Sequence, residues 1–392
     1  MAGRLASLLA ILLTACVPST QEVTVGVETV GVDPAAATGW NVEGDLARDA
    51  RAFFFAQAEL YLAGASPAEG GPLADMLRAM GRDDLVDPAT IPEPEMACPQ
   101  RWVDPVELVS QAAKGARAVI LETDRFAPEQ LAFTQRIAAR LAQDGFDTYA
   151  DDSLSFGPGG SSDAAAPLVT EGSVARDPAY GRLLREMKGR GLALIDPGIW
   201  WTSPRELASL SAEEQRARRQ LALAQQVNRR VLSRSPTARA ILMAERGGET
   251  KILETEVRRL SGFEPVTVAL VRCSEADEAP AFLPELGEGA RPAGGADIVI
   301  AIARPPLVAG RQGSAKDSGE APVTVPVVFQ PQQDPVLVEA RRAGDPVLAV
   351  PEDRLLLLPG DRLPLLLPPG HYRIEGWTKN GPIAEPVSQV VD

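Results

Sequence analysis

The sequence predicts an α/β protein: a mostly parallel sheet flanked by helices, with an N-terminal helical segment before it and a C-terminal β-sandwich after it. Three observations carry this. Short apolar runs alternate with helical stretches from about residue 98 to 273, the pattern of a parallel sheet with crossover helices. The segment 274–295 is acidic and rich in Pro and Gly, as a linker would be. From 296 to 392 the period shortens to brief Val, Leu and Ile runs punctuated by Pro and Gly, which suits a small β-sandwich.

Each element has a local cause. DLARDARAFFFAQAELYLAG, residues 45–64, has helical composition and ends in Gly, and PLADMLRAMGRDDL is a second candidate helix. ARAVILE (116–122) is a short apolar run suited to a strand buried on both faces. Pro128 and Glu129 open a helix, Leu131, Ile137 and Leu141 give it an apolar side, and Gly145 ends it. FDTYA (146–150) is the next strand, and Asp177-Pro178 starts a helix that stops at Gly191 before LALID. A charged helix over about 204–233 leads to ARAILMA, KILETEVRRLSG and VTVALVR, read as strand, helix and strand. FGPGGSSDAAAP (156–167) is a surface loop or lid. Asn380-Gly381 between two strand-like runs predicts a hairpin.

Composition excludes several functions. The net charge of −14 argues against a nucleic-acid partner, because phosphate binding needs a basic surface. The sole histidine, His371, lies in the expected β-sandwich, so no Ser–His–Asp triad, Cys–His dyad or multi-histidine metal site can form within 98–273. GPGGSS lacks the lysine and following helix of a phosphate-binding loop.

Carboxylates remain. In a parallel sheet the residues just past successive strands converge on one rim, where ligands of open α/β sheets bind. Here these are Glu122 and Asp124, Asp151 and Asp152, Asp196, and Glu245. Glu122, Asp124 and Asp152 are the catalytic candidates, either holding a divalent cation through oxygen ligands or supplying a general acid. Glu245, Asp196, Trp200 and Trp201 are candidates for ligand contact, the tryptophans as a stacking platform or, alternatively, as a plug over the core. The plainer alternative for the acids is helix capping and solvation.

The N-terminus has secretory anatomy: one basic residue, a short apolar stretch, then small residues before Cys16. Leu13-Thr14-Ala15-Cys16 resembles the lipobox of bacterial lipoproteins. That resemblance implies cleavage of residues 1–15, lipid on Cys16, and a membrane partner reached through the anchor. Val17 stands where an inner-membrane retention signal would carry Asp. An outer-membrane protein facing the periplasm is therefore expected, with 16–97 as tether and helical segment. Its further partner would be an envelope protein or a small ligand. With Cys16 lipidated, Cys98 and Cys273 form an even pair in an oxidising compartment, and a disulfide between them is expected, two separate buried thiols being the alternative.

The α/β segment resembles the erythromycin-esterase-like and ChaN-like haem-uptake group of the TraB/Tiki superfamily. Counterparts of the family's motifs are Glu122-Thr123-Asp124, Pro128, Phe133-Thr134, Gly145-Phe146 and Asp152. Further on come Asp177-Pro178, Glu213-Glu214-Gln215 with Gln220-Leu221, Glu245-Arg246-Gly247-Gly248, and VRRLSGFEPVTV. The departures fall on the chemistry. Asp124 replaces the first histidine, Glu213 an arginine, and Gly248 the later histidine. The resemblance implies the scaffold without its hydrolase mechanism. Haem is not expected as a cofactor, since Tyr149 is the one nearby axial candidate. LPPGHYRIEGW similarly resembles the closing hairpins of transthyretin-like or carboxypeptidase-regulatory-like sandwiches, usually accessory or adhesive modules.

Overall fold

A computed structural model describes residues 42–68, 71–87, 104–156, 164–172, 176–198, 209–245, 251–273, 296–303, 307–308, 311–312, 323–329, 331 and 333–392. The chain divides into two units, Met1–Val42 and Glu43–Asp392, and the second carries the sheets and their helices. The expectations for the leader, Cys16, Cys98, Trp200, Trp201 and the 274–295 linker lie outside the described residues.

The elements are α1 (Val42–Leu62), α2 (Pro72–Ala79), α3 (Pro105–Ala112), β1 (Ala118–Thr123), α4 (Pro128–Gln143), β2 (Thr148–Asp151), α5 (Pro178–Gly189) and β3 (Ala193–Ile195). Next come α6 (Ala212–Val227), which runs into a π-helical turn at Asn228–Leu232, β4 (Ala240–Glu245), α7 (Lys251–Ser261), β5 (Val266–Cys273) and β6 (Ile298–Ala303). The C-terminal part holds β7 (Leu307–Val308), β8 (Arg311–Gln312), β9 (Val323–Val325), β10 (Val336–Arg342), β11 (Asp353–Leu357), β12 (Leu365–Leu367), β13 (Gly370–Thr378), β14 (Gly381–Pro382) and β15 (Val387–Val391). No helix among the described residues is long and apolar enough to cross a membrane.

Six strands form an all-parallel sheet in the order β3-β2-β4-β1-β5-β6. Alternation along each strand builds two cores. Val119, Leu121, Tyr149, Ile241 and Met243 face α3, α4 and α5, whereas Ala118, Ile120, Ala150, Ala240 and Leu242 face α6 and α7. Both faces are covered, so the strands read as continuous apolar runs rather than alternating ones. The expected helix–strand alternation is thereby met, with one addition. α3 starts where Asp104 accepts hydrogen bonds from the amides of Val106 and Glu107 and Pro105 takes the first turn.

β6 departs from the sequence expectation, which assigns residues 296–392 to the β-sandwich. Ile298 to Ala303 pair in parallel with Val268 to Cys273 and complete the first sheet. β7 and β8 pair as a separate two-stranded ladder, and β9 to β15 form the sandwich proper. A five-stranded antiparallel sheet contains β11, β10, β13, β14 and β15, with β9 and β12 opposite it. Val338, Ala340, Leu355, Leu357, Leu365 and Leu367 fill the space between. The anticipated hairpin is present as β13–β14, turning at Lys379-Asn380, and His371 is exposed on β13.

The outer face of that sheet is not open to water. Leu337 and Leu356 pack against Phe54, Phe55, Ala58, Leu77 and Met80 of α1 and α2. α5 approaches the segment before β11 so closely that a Cβ on Gly181 would stand 2.5 Å from Val350 Cγ1. The N-terminal helices and the sandwich are therefore packed as one body with the α/β layer.

Candidate functional site

The C-terminal ends of β2, β4 and β1 lie side by side, with Asp151 opposite Met243 and Thr123 opposite Glu245. Of the acids at the strand ends, Asp151, Asp152 and Glu245 meet. What joins them is a residue that no pattern in the sequence singles out. Arg125, two residues past β1, is 3% exposed and contacts Asp151 (Nη2–Oδ1 3.3 Å), Asp152 through the same Nη2, and Glu245 (Nη1–Oε2 3.4 Å). Both aspartate side chains are fully buried. A guanidinium presents a planar fork to carboxylates, and here three of them share it.

Asp151 is the most heavily bonded. Its Oδ1 accepts from the Ser153 amide (2.8 Å) and hydroxyl (2.7 Å), and its Oδ2 from Tyr180 (2.7 Å) and Tyr149 (3.2 Å). A carboxylate with that many donors is held in place as an acceptor. Asp152 differs: neither oxygen has a hydrogen bond among the described residues, its compensation being the Arg125 contact. Burial, and then the Asp151 charge, push both tyrosine hydroxyls well above the usual tyrosine range.

A tyrosine whose folded pKa is raised contributes stability that is complete below the unfolded value near 10 and lost as pH rises through the folded value. In an ultraviolet titration of the native protein, Tyr149 and Tyr180 are expected to stay un-ionised past that value. They should release their protons together with alkaline unfolding. Ionisation of all four tyrosines of the chain at ordinary pH, with the fold intact, would contradict the assignment.

The other candidates divide. Glu122 lies on β1 between Ala244 and Ala269, is buried, and faces the α6 and α7 side with Ile120. Asp124 turns away from the cluster: Oδ1 accepts from the Phe126 amide (2.9 Å) and Oδ2 from Arg272 Nη2 (3.0 Å). Asp196 accepts from the Phe156 amide (3.1 Å) and so anchors the segment after β2. Tyr149, the haem candidate, is fully buried, and its hydroxyl is engaged by Met243 Sδ (2.9 Å) as well as by Asp151. Among the described residues no group of three or more His, Cys, Asp or Glu is placed to hold a metal ion. Cys273 is buried at the end of β5, and Cys98, its expected disulfide partner, lies outside the described residues.

α6 completes the rim. It returns the chain to the start of β4, so its first turns stand at the C-terminal end of the sheet. Ser211 and Glu214 close its N-terminus in a capping box. Burial, and then repulsion by Arg125, lower the pKa of Arg219; Glu245 opposes this and Arg216 adds to it.

No family model matches the chain, and no curated protein is similar to it in sequence. Among solved structures, the type III effector HopBA1 is 15% identical at a TM-score of 0.30, over 54% of this chain and 98% of that one. The signal recognition particle 54 kDa protein from Aeropyrum pernix K1, in complex with GDP, is 14% identical at a TM-score of 0.20. That match covers 59% of this chain and 45% of the other. Likeness at those scores bears on neither chemistry nor partner.

Proposed function

We propose that this is a lipid-anchored cell-envelope protein, on the outer membrane and facing the periplasm, that works by binding or scaffolding. Its α/β domain is an erythromycin-esterase- or ChaN-like scaffold without turnover. One observation carries the reading: where the acids of the rim meet, a buried arginine stands among them. A guanidinium that pairs with all three carboxylates leaves them engaged within the protein. Cys98 is the proposed partner of Cys273, in keeping with an oxidising compartment.

A divergent hydrolase using Glu122, Asp124 and Asp152, with or without a divalent cation, is the second reading. Among the described residues Asp152 is held by Arg125 alone, which favours it; the Asp124 bond to Arg272 counts against it. Ester hydrolysis by the purified protein should equal that of Glu122→Gln and Asp152→Asn, and a rate that falls in both variants would move the choice to the hydrolase. Intact mass of protein extracted from its own envelope tests the rest. A lipid-sized gain on a chain beginning at Cys16, lost in Cys16→Ala, and a deficit of two hydrogens for the disulfide are expected. An unmodified leader would overturn the anchoring.

A further inference from the structure

A cleft of about 460 Å³ runs between α1 and the β13–β14 hairpin, and none of its lining residues belongs to the acid rim. That volume lies within the range of small-ligand sites, about 300–1,000 Å³. One wall is a single helical face: Arg48, Ala52, Phe55, Ala56 and Glu59 fall on one side of α1 by their three- and four-residue spacing. The helix rises about 16 Å from Arg48 to Glu59, so this wall is elongated. The facing wall is Trp377, Lys379 and Pro382 of the hairpin.

Charge is unevenly spread along that length. Ala52, Phe55, Ala56, Trp377 and Pro382 make the middle apolar. At one end of the helical wall Glu59 is matched by Lys379, 3.2 Å away and exposed like it. Arg48 and Arg51 stand toward the other end, and Arg51 stacks on the Trp377 ring at 3.7 Å. The chain as a whole has 53 acids against 39 Lys and Arg, but around Arg51 the balance is reversed. Four guanidiniums, of Arg51, Arg341, Arg354 and Arg373, share the carboxylates of Glu339 and Glu375 at 2.8–3.3 Å. Asp177, which acts on Arg354, leaves the sum positive. Buried charge in excess is costly, and a counter-charge from outside would relieve it. Arg48 has an interaction of its own within the chain, so an anion would meet a positive field rather than an idle donor.

We propose that this cleft binds an elongated amphiphile with an anionic head, the head at Arg48 and Arg51 and the apolar tail along Ala52, Phe55 and Ala56. A carboxylate suits the guanidinium end by charge. A tail laid along the helix removes Ala52 and Ala56, both exposed, from water. The inference deepens the binding reading and rests on it, at a site separate from the rim.

The test is calorimetric titration of the full-length protein with decanoate and, separately, with decanol, which has a similar tail and no charge. Saturable binding of decanoate is expected, tighter than that of decanol. Ala56→Trp should fill the cleft and abolish it, and Ala52→Trp, one turn earlier, should do the same. Arg48→Gln should weaken decanoate roughly ten-fold, within the worth of a charge-assisted contact, and leave decanol unchanged. The ligand-free melting midpoints of Ala56→Trp and Arg48→Gln should match the wild type, since both positions are exposed. Decanoate that fails to saturate, or that binds both tryptophan variants as it binds the wild type, overturns the site. Equal loss of both ligands in Arg48→Gln overturns the anionic head. A protein that bound no decanoate, turned over no ester and kept its lipid would lose this site and keep the reading of an anchored scaffold. One that bound decanoate and also hydrolysed esters would keep this site and lose the reading of a scaffold without turnover.

Discussion

Arg125→Met is expected to lower stability at neutral pH by about 3–5 kcal/mol, the cost of leaving buried carboxylates without their counter-charge. Methionine fills much of the same volume and carries no charge, so the loss is electrostatic rather than a cavity effect. Two aspartates with fully buried side chains then face each other's field, and among the described residues only Asp151 has other donors. The penalty is largest where both carboxylates are ionised and shrinks as falling pH protonates them. Urea unfolding at pH 7 and at pH 4.5 measures this. Asp152→Asn on top of Arg125→Met should recover part of the loss, because the two residues are in contact and their effects do not add. An Arg125→Met protein as stable as the wild type at pH 7 would mean that the cluster is not held by charge.

The architecture is legible in the sequence because its cause is local. Apolar runs such as AVIL and AILMA are buried on both faces and show no alternation, and Pro128 and Pro178 open helices by their fixed φ. The same rule places IVIAIA, residues 298–303, in the parallel sheet. Its nearness to the sandwich in sequence points the other way, and for β6 the continuous apolar run is the better guide. β13, GHYRIEGWT, shows the contrast: buried and part-buried positions alternate along it, as in an antiparallel strand.

The meeting of Asp151, Asp152 and Glu245 is legible, since topology brings strand ends together; that Asp124 turns to Arg272 and Asp196 to the Phe156 amide is not. Nor is their chemistry. Arg125 in ETDRF looks like a solvated loop residue, and what makes it central is burial between β2 and β4, elements remote in sequence. Glu339 and Arg341 in VLVEARR have the period of an exposed face, but α1 covers it. Charge patterning reports which residues share a face; it does not report what packs against that face.

Glu339→Gln is the second large effect expected, again about 3–5 kcal/mol at neutral pH. Glu339 is 1% exposed, on the side of β10 turned toward α1. Its Oε2 accepts from Arg51 Nε of α1 (2.8 Å) and Arg341 Nη2 (2.9 Å), and its Oε1 from Arg354 Nε (2.9 Å). Arg354 also stacks on Phe54, and Arg51 on Trp377. Removing the one negative charge at the centre leaves three guanidiniums, with Glu375 near Arg51 and Arg341 and Asp177 near Arg354. Burial by itself raises the Glu339 pKa, but the Arg341, Arg354 and Arg51 charges outweigh it and hold the carboxyl well below the usual range. A depressed folded-state value means the contribution is present above the unfolded value near 4.5 and lost as pH falls through the folded one. The stability gap between the wild type and Glu339→Gln should therefore be widest at neutral pH and close in acid. Because Arg51 is the α1 member of the network, limited proteolysis should cut α1 faster in the variant. Equal stability at pH 7 would show that apolar packing of Phe54, Phe55 and Leu337 holds α1 to the sheet without the charges. A gap that persists unchanged into acid would instead assign the loss to hydrogen-bond geometry.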